Sequence, residues 1–192
     1  MNVKDTHSRL TRAAAFLAAN APPKILKYFN PDCCIAASKV AFSFMQRLGF
    51  SAMPQVTRFV VYTENLWKRV DAGQWDGQFR DYEWSVAIGY GTDKPRPDGF
   101  NGHLIVLASE GNETFLIDLS LGQASRPKKG IVIPHGLALQ MTHGWPASLR
   151  INSCVLQYKQ AKNPSFLVAP DWTKPERTEP LVEELLAEYL LT

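Results

Sequence analysis

Two adjacent cysteines, Cys33 and Cys34, sit in the stretch PDCCIAAS at residues 31–38, just ahead of an apolar, helix-like run. A thiol attacks acyl carbon as its thiolate, and a helix N-terminus favours that form by presenting unpaired N–H groups and a positive dipole end. Asp32 is of the right type to cap such a helix, which would put both cysteines in its first turn, where the same N–H groups could receive an oxyanion. The competing reading is that both thiols are buried fillers. A partner base is what separates the two.

Such a base is available. Asn101-Gly102-His103 opens the strand-like run HLIVLA, and the next apolar run, TFLIDLS, carries Asp118 between Ile117 and Leu119. Aspartate is depleted in strands and costly to bury unpaired, so Asp118 is expected to accept a hydrogen bond from something specific. Positions 103 and 118 sum to an odd number, so an even-length hairpin loop puts both on one face of the sheet. With Glu110-Gly111 as a two-residue turn they stand directly opposite; with Gly111-Asn112 they are diagonal neighbours. An odd loop without a bulge would send them to opposite faces.

The elements that must hold these groups follow from periodicity. Residues 5–20 read as a helix ending near Asn20, because Ala21-Pro22-Pro23 is a poor continuation, with a short helical KILKYF after it. From Asp32 to Leu48, Ala37, Ala41, Phe44 and Leu48 form one helical stripe that Gly49 stops. Then the period changes. QVTRFVVYT (55–63), EWSVAIGYG (83–91), GHLIVLA (102–108), TFLIDLS (114–120) and CVLQYK (154–159) are β-rich and bounded by turn residues. ENLWKRVDAGQWDGQFRDY is a long, partly helical connection, KPRPDG and APDWTKPERTEP read as loops, and Glu179-Pro180 opens a closing helix whose Leu181, Leu185 and Leu190 would dock on the same domain. Helices first and an antiparallel meander afterwards give the α+β class.

A helix-borne cysteine followed by His and an acid on adjacent antiparallel strands is the order of papain-like and transglutaminase-like thiol enzymes. The stretches DCCIAASKVAFSFMQRLGF, SVAIGYG…NGHLIVL and FLIDLSLGQASRP resemble a bacterial transglutaminase-like branch of the cysteine peptidase fold, over roughly residues 30–130. The resemblance implies that Cys34, directly before Ile-Ala-Ala-Ser, is the nucleophile, with Cys33 as fallback, His103 as the base and Asp118 as the orienting acid. It also implies one transglutaminase-like domain over 1–192, with the last strand and helix appended to a papain-like core. Transglutaminases usually carry Trp after the cysteine and Asp-Pro at the acid; this chain has Ile35 and Leu119. The Arg-Gly-Gly-x-Cys pattern of arylamine N-acetyltransferases is missing, which argues against acetyl-coenzyme A as donor.

The implied activity is hydrolysis or acyl transfer at an amide or peptide bond through a thioester, with no cofactor and no metal, acting on a peptide, protein or small amide. The alternative is a catalytically silent peptide-binding or structural module of the same fold. The rest of the chain narrows the field. Its 192 residues are 45% hydrophobic and 20% charged with net charge +3, and the one compact basic cluster, Arg126-Pro127-Lys128-Lys129, is a weak footprint for nucleic acid. Three cysteines do not make a disulfide scaffold, and no stretch reads as a signal peptide or membrane span, so a cytoplasmic protein is expected. His135 and His143 flank LALQM at a spacing that fits no standard zinc pattern, and Gly89-Tyr90-Gly91 reads as a strand end rather than a phosphate loop. Trp84 is the candidate to wall a cleft beside His103. The oligomeric state is left open.

Overall fold

The computed structural model describes residues 8–30, 32–90, 100–142, 144–145 and 147–192. Gly91, the KPRPDG stretch, His143 and residues 5–7 of the expected first helix lie outside them. The elements are α1 (Arg9–Tyr28), α2 (Cys34–Arg47), β1 (Ser51–Thr63), α3 (Glu64–Asp71), β2 (Ser85–Ile88), β3 (His103–Glu110), β4 (Glu113–Asp118), β5 (Leu137–Gln140), β6 (Ala147–Ile151), β7 (Cys154–Gln160), α4 (Pro170–Thr173) and α5 (Glu179–Tyr189). Helices and an antiparallel sheet make this an α+β structure.

Helix α1 corrects the expected break at Asn20: it runs straight through Pro22 and Pro23. An interior proline removes a hydrogen bond and costs about 3 kcal/mol. Here the later turns bury Ala21, Pro22 and Ile25 on the same stripe as Leu10, Ala13, Ala14 and Leu17, and that packing holds the helix together. KILKYF is thus the end of α1 rather than a separate piece. Helix α2 stops as its sequence suggests. Gly49 takes φ +83°, its N–H donates to the Gln46 carbonyl and that of Phe50 to Met45, the paired bonds of a Schellman terminus.

Strand β1 is the hub of the sheet, whose order is β5-β4-β3-β1-β7-β6 with β2 also pairing β1. Thr57 pairs with His103 on one edge and with Gln160 on the other. Beyond Thr57, β2 takes over the edge that β3 occupies before it. The β3–β4 turn is Gly111-Asn112, since Glu110 pairs with Glu113; Gly111 is at φ +58°, which a type II′ hairpin needs at its first central residue. Strands β5 and β6 add to the sequence analysis, which assigns no strand to residues 137–140 or 147–151.

Alternation along β3 sorts its side chains. Val106 and Ala108, with Phe115 and Ile117 of β4, face a core built with α1, α2 and α5. Ile105 and Leu116 face the opposite side, where they meet Phe59 and Val61 of β1, Leu137 of β5, Ala147 of β6 and Leu156 and Tyr158 of β7, so the sheet curls around a second core. Helix α5 docks on α1 and α2 through Leu181, Val182 and Leu185, while Leu190, expected on the same stripe, lies past the end of the helix and is exposed; Lys24 and Arg47 pair with its glutamates. No helix among the described residues is long and apolar enough to cross a membrane.

Candidate active site

His103 is the first residue of β3 and Asp118 the last of β4, and the hairpin places them on the same face as diagonal neighbours. Both are buried, at 0% and 1% exposure, and His103 Nε2 lies 2.7 Å from Asp118 Oδ2. The acid does have its partner. The imidazole packs edge-on against Phe59, ring centres 4.6 Å apart, inside the curl of the sheet.

Asp118 is held by more than histidine. The Ser120 N–H donates to Oδ1 at 3.0 Å, and the Tyr158 hydroxyl donates to Oδ2 at 2.8 Å. Tyr158 is fully buried on β7, and burial followed by the neighbouring carboxylate raises its pKa well above the usual value, so it stays a donor. Sequence reasoning missed it; the only signal was a tyrosine in an otherwise apolar strand, whose hydroxyl needs a partner when buried. Tyr158→Phe leaves the volume and removes one bond to an ionised group, so it is expected to lower unfolding stability by about 1.5–3 kcal/mol. A urea titration coincident with wild type would show that the hydroxyl contributes nothing to holding the acid.

The other ring nitrogen, Nδ1, lies 2.9 Å from the Gln123 side-chain amide, on the single helical turn Leu121–Ala124 that follows β4. With the amide NH₂ donating, Nδ1 is an acceptor and the ring proton sits on Nε2 against Asp118. When Nδ1 carries a proton, the amide oxygen can accept instead. Gln123 was also missed, and nothing in LSLGQAS singles it out.

Cys34 approaches from the helix-bearing side. Asp32 does not cap α2: Cys33 occupies the N-cap position, its side chain makes no cap hydrogen bond, and Cys34 is the first helical residue. With Asp32 outside the helix, its start shifts by one residue relative to the expectation. The Cys34 side chain, 3% exposed, packs with Val56 and Leu104, the chain neighbours of Thr57 and His103. The Ser38 hydroxyl donates to the Leu104 carbonyl at 2.7 Å and pins α2 there. The thiol thus meets the imidazole around the end of β3. Burial pushes the His103 pKa down, but the charge and hydrogen bond of Asp118, then the Cys34 thiol, push it further up, to about 10.

Cys33 has a different setting. Burial, then Cys34 and more weakly Asp171 and Asp32, push its thiol up to about 12. It lines a cleft that it shares with Gln123 and His135. Trp84 does not wall that cleft: its carbonyl accepts from Thr63 N, six residues along β1 from the partner of His103, or about 20 Å at strand spacing. There it stacks on Phe79 and under Lys129. Among the described residues no group of three or more His, Cys, Asp or Glu is placed to hold a metal ion. No protein-family model, no curated protein and no solved structure matches this chain, and the functional reading therefore rests on its own geometry.

Proposed function

We propose that the chain is a thiol-dependent hydrolase or acyltransferase of the transglutaminase-like, papain-like kind, with Cys34 as nucleophile, His103 as base and Asp118 as orienting acid. The observation that supports it is the buried His103–Asp118 pair with the Cys34 thiol, at the start of α2, set against the same imidazole. His103 takes the thiol proton before the substrate arrives and holds it as imidazolium, as its raised pKa favours, and Cys34 Sγ then adds as thiolate to the carbonyl carbon of an amide or ester. The uncapped N–H groups at the head of α2 are suited to receive the oxyanion. Collapse breaks the bond to nitrogen or oxygen, the imidazolium protonates that leaving group, and the acyl group remains as a thioester. Water or an amine, deprotonated by the same ring, then attacks the thioester and returns the thiol.

The catalytically silent alternative draws on burial: a thiol at 3% exposure beside an imidazole at 0% could be mere packing. Alkylation decides between them. At pH 7 iodoacetamide is expected to modify Cys34 in the folded protein and leave Cys33, whose thiol lies near 12, unmodified, as read by peptide mapping. If all the cysteines stay inert until the chain unfolds, the silent module is the better reading.

A further inference from the structure

Beside Cys33 lies a cleft of about 100 Å³ that opens next to the reacting atoms, since one of its lining residues, Gln123, also touches His103 Nδ1. Its walls are Ile25 and Leu26 of α1 and Leu119 after β4, and His135 forms a further wall. The construction of that last wall explains the PHG stretch at 134–136. Pro22 has no N–H to offer the Ala18 carbonyl, and Gly136 packs so closely on that carbonyl that an added Cβ would lie 2.3 Å from its oxygen. The neighbouring His135 imidazole lies flat against Gly122, where a Cβ would come within 2.1 Å of Nδ1. Two glycines and an interior proline therefore bring His135 across the end of α1 to complete the cleft.

Shape and polarity limit what fits. An apolar cavity of about 150 Å³ takes a benzene ring; at about 100 Å³ this one has room for a short aliphatic chain and not for a ring. Among the described residues no Asp, Glu, Lys or Arg lines it, so a charged group placed there would lose water with no counter-ion from them. We propose that the cleft receives the acyl chain of the substrate and selects short, uncharged aliphatic acyl groups over aromatic, charged or long ones. This rests on the thiol acyl-transfer reading above.

The test uses p-nitrophenyl esters that share one leaving group: acetate, butyrate, hexanoate, decanoate and benzoate, each corrected for the rate with Cys34→Ala. Butyrate is expected to have the highest kcat/KM, at least tenfold above decanoate and benzoate. In Leu26→Trp, a change at a position 39% exposed on α1, the indole fills the cleft and the optimum is expected to move to acetate. Chain-length-independent rates, or an optimum unmoved by Leu26→Trp, would overturn the cleft assignment while leaving the thiol chemistry standing. No turnover of any ester together with an unreactive Cys34 would overturn both.

Discussion

Cys34→Ala is expected to abolish turnover of any acyl substrate and leave the protein folded. Removing the nucleophile from a triad enzyme costs about 10⁶ in kcat, because the remaining groups have nothing to activate. The structural loss is small by comparison. Cys34 packs among Ile35, Val56, Phe100 and Leu104, and exchanging its sulfur for a void costs on the order of 1 kcal/mol. Cys33→Ala is expected to keep activity, since its thiol is held protonated and its side chain faces the cleft. Steady-state rates on the best ester and thermal melts measure both variants. Equal loss from either change would leave the choice between the vicinal thiols without a basis, and more than about one per cent of wild-type activity in Cys34→Ala, far above that expected drop, would remove Cys34 from the chemistry altogether.

Asp118→Asn is expected to lose activity and stability together. The amide has nearly the volume of the acid but turns one acceptor into a donor at a place where His103, Ser120 and Tyr158 all offer protons. Either that NH₂ faces a donor, at about 1–3 kcal/mol, or His103 adopts the other tautomer, with its proton on Nδ1 and no acceptor left there. The same exchange in a serine triad costs about 10⁴ in kcat.

The pH dependence has a definite sign. His103 is raised in the folded state, so the stability it contributes is full below about pH 6.5, where the unfolded residue is also protonated, and is lost as pH rises through about 10. The gap in melting temperature between wild type and His103→Gln should shrink across that interval, and in the Asp118→Asn background it should be small throughout. A gap that stays constant from pH 6 to 10.5 would mean that the two residues are not coupled through a proton, and the binding-module reading would gain.

Much of the site was legible because it depends on short-range rules. A hairpin fixes faces by parity, so His103 and Asp118 could be assigned to one face from a choice of turns, and the pairing of Glu110 with Glu113 selects the diagonal arrangement. Helix α2 and strands β3 and β4 follow from stripes and alternation within the segments themselves. What escaped were contacts set by distant packing. Pro22 and Pro23 stay helical because the stripe from Leu10 to Ile25 is buried against the sheet, which no local rule reports. Strand β5 exists because β4 offers an edge to residues 137–140, and Ala147–Ile151 pairs on β7 in the same way. Tyr158 and Gln123 reach the site from separations of 40 and 20 residues, so their roles depend on how β7 and the turn after β4 settle.

The position of β7 also sets an order of assembly. Tyr158 can reach Asp118 only once β7 has paired along Thr57–Thr63 of β1, closing a loop of roughly a hundred residues, the slow kind of contact in folding. A growing chain that has just emerged through β4 already contains the thiol, the imidazole and the acid, yet the carboxylate lacks its tyrosine and the second core lacks the strand that covers the ring. Full shielding and hydrogen bonding of the His103–Asp118 pair therefore come last during synthesis, and a chain interrupted before residue 154 holds Cys34, His103 and Asp118 without the tyrosine bond to the acid.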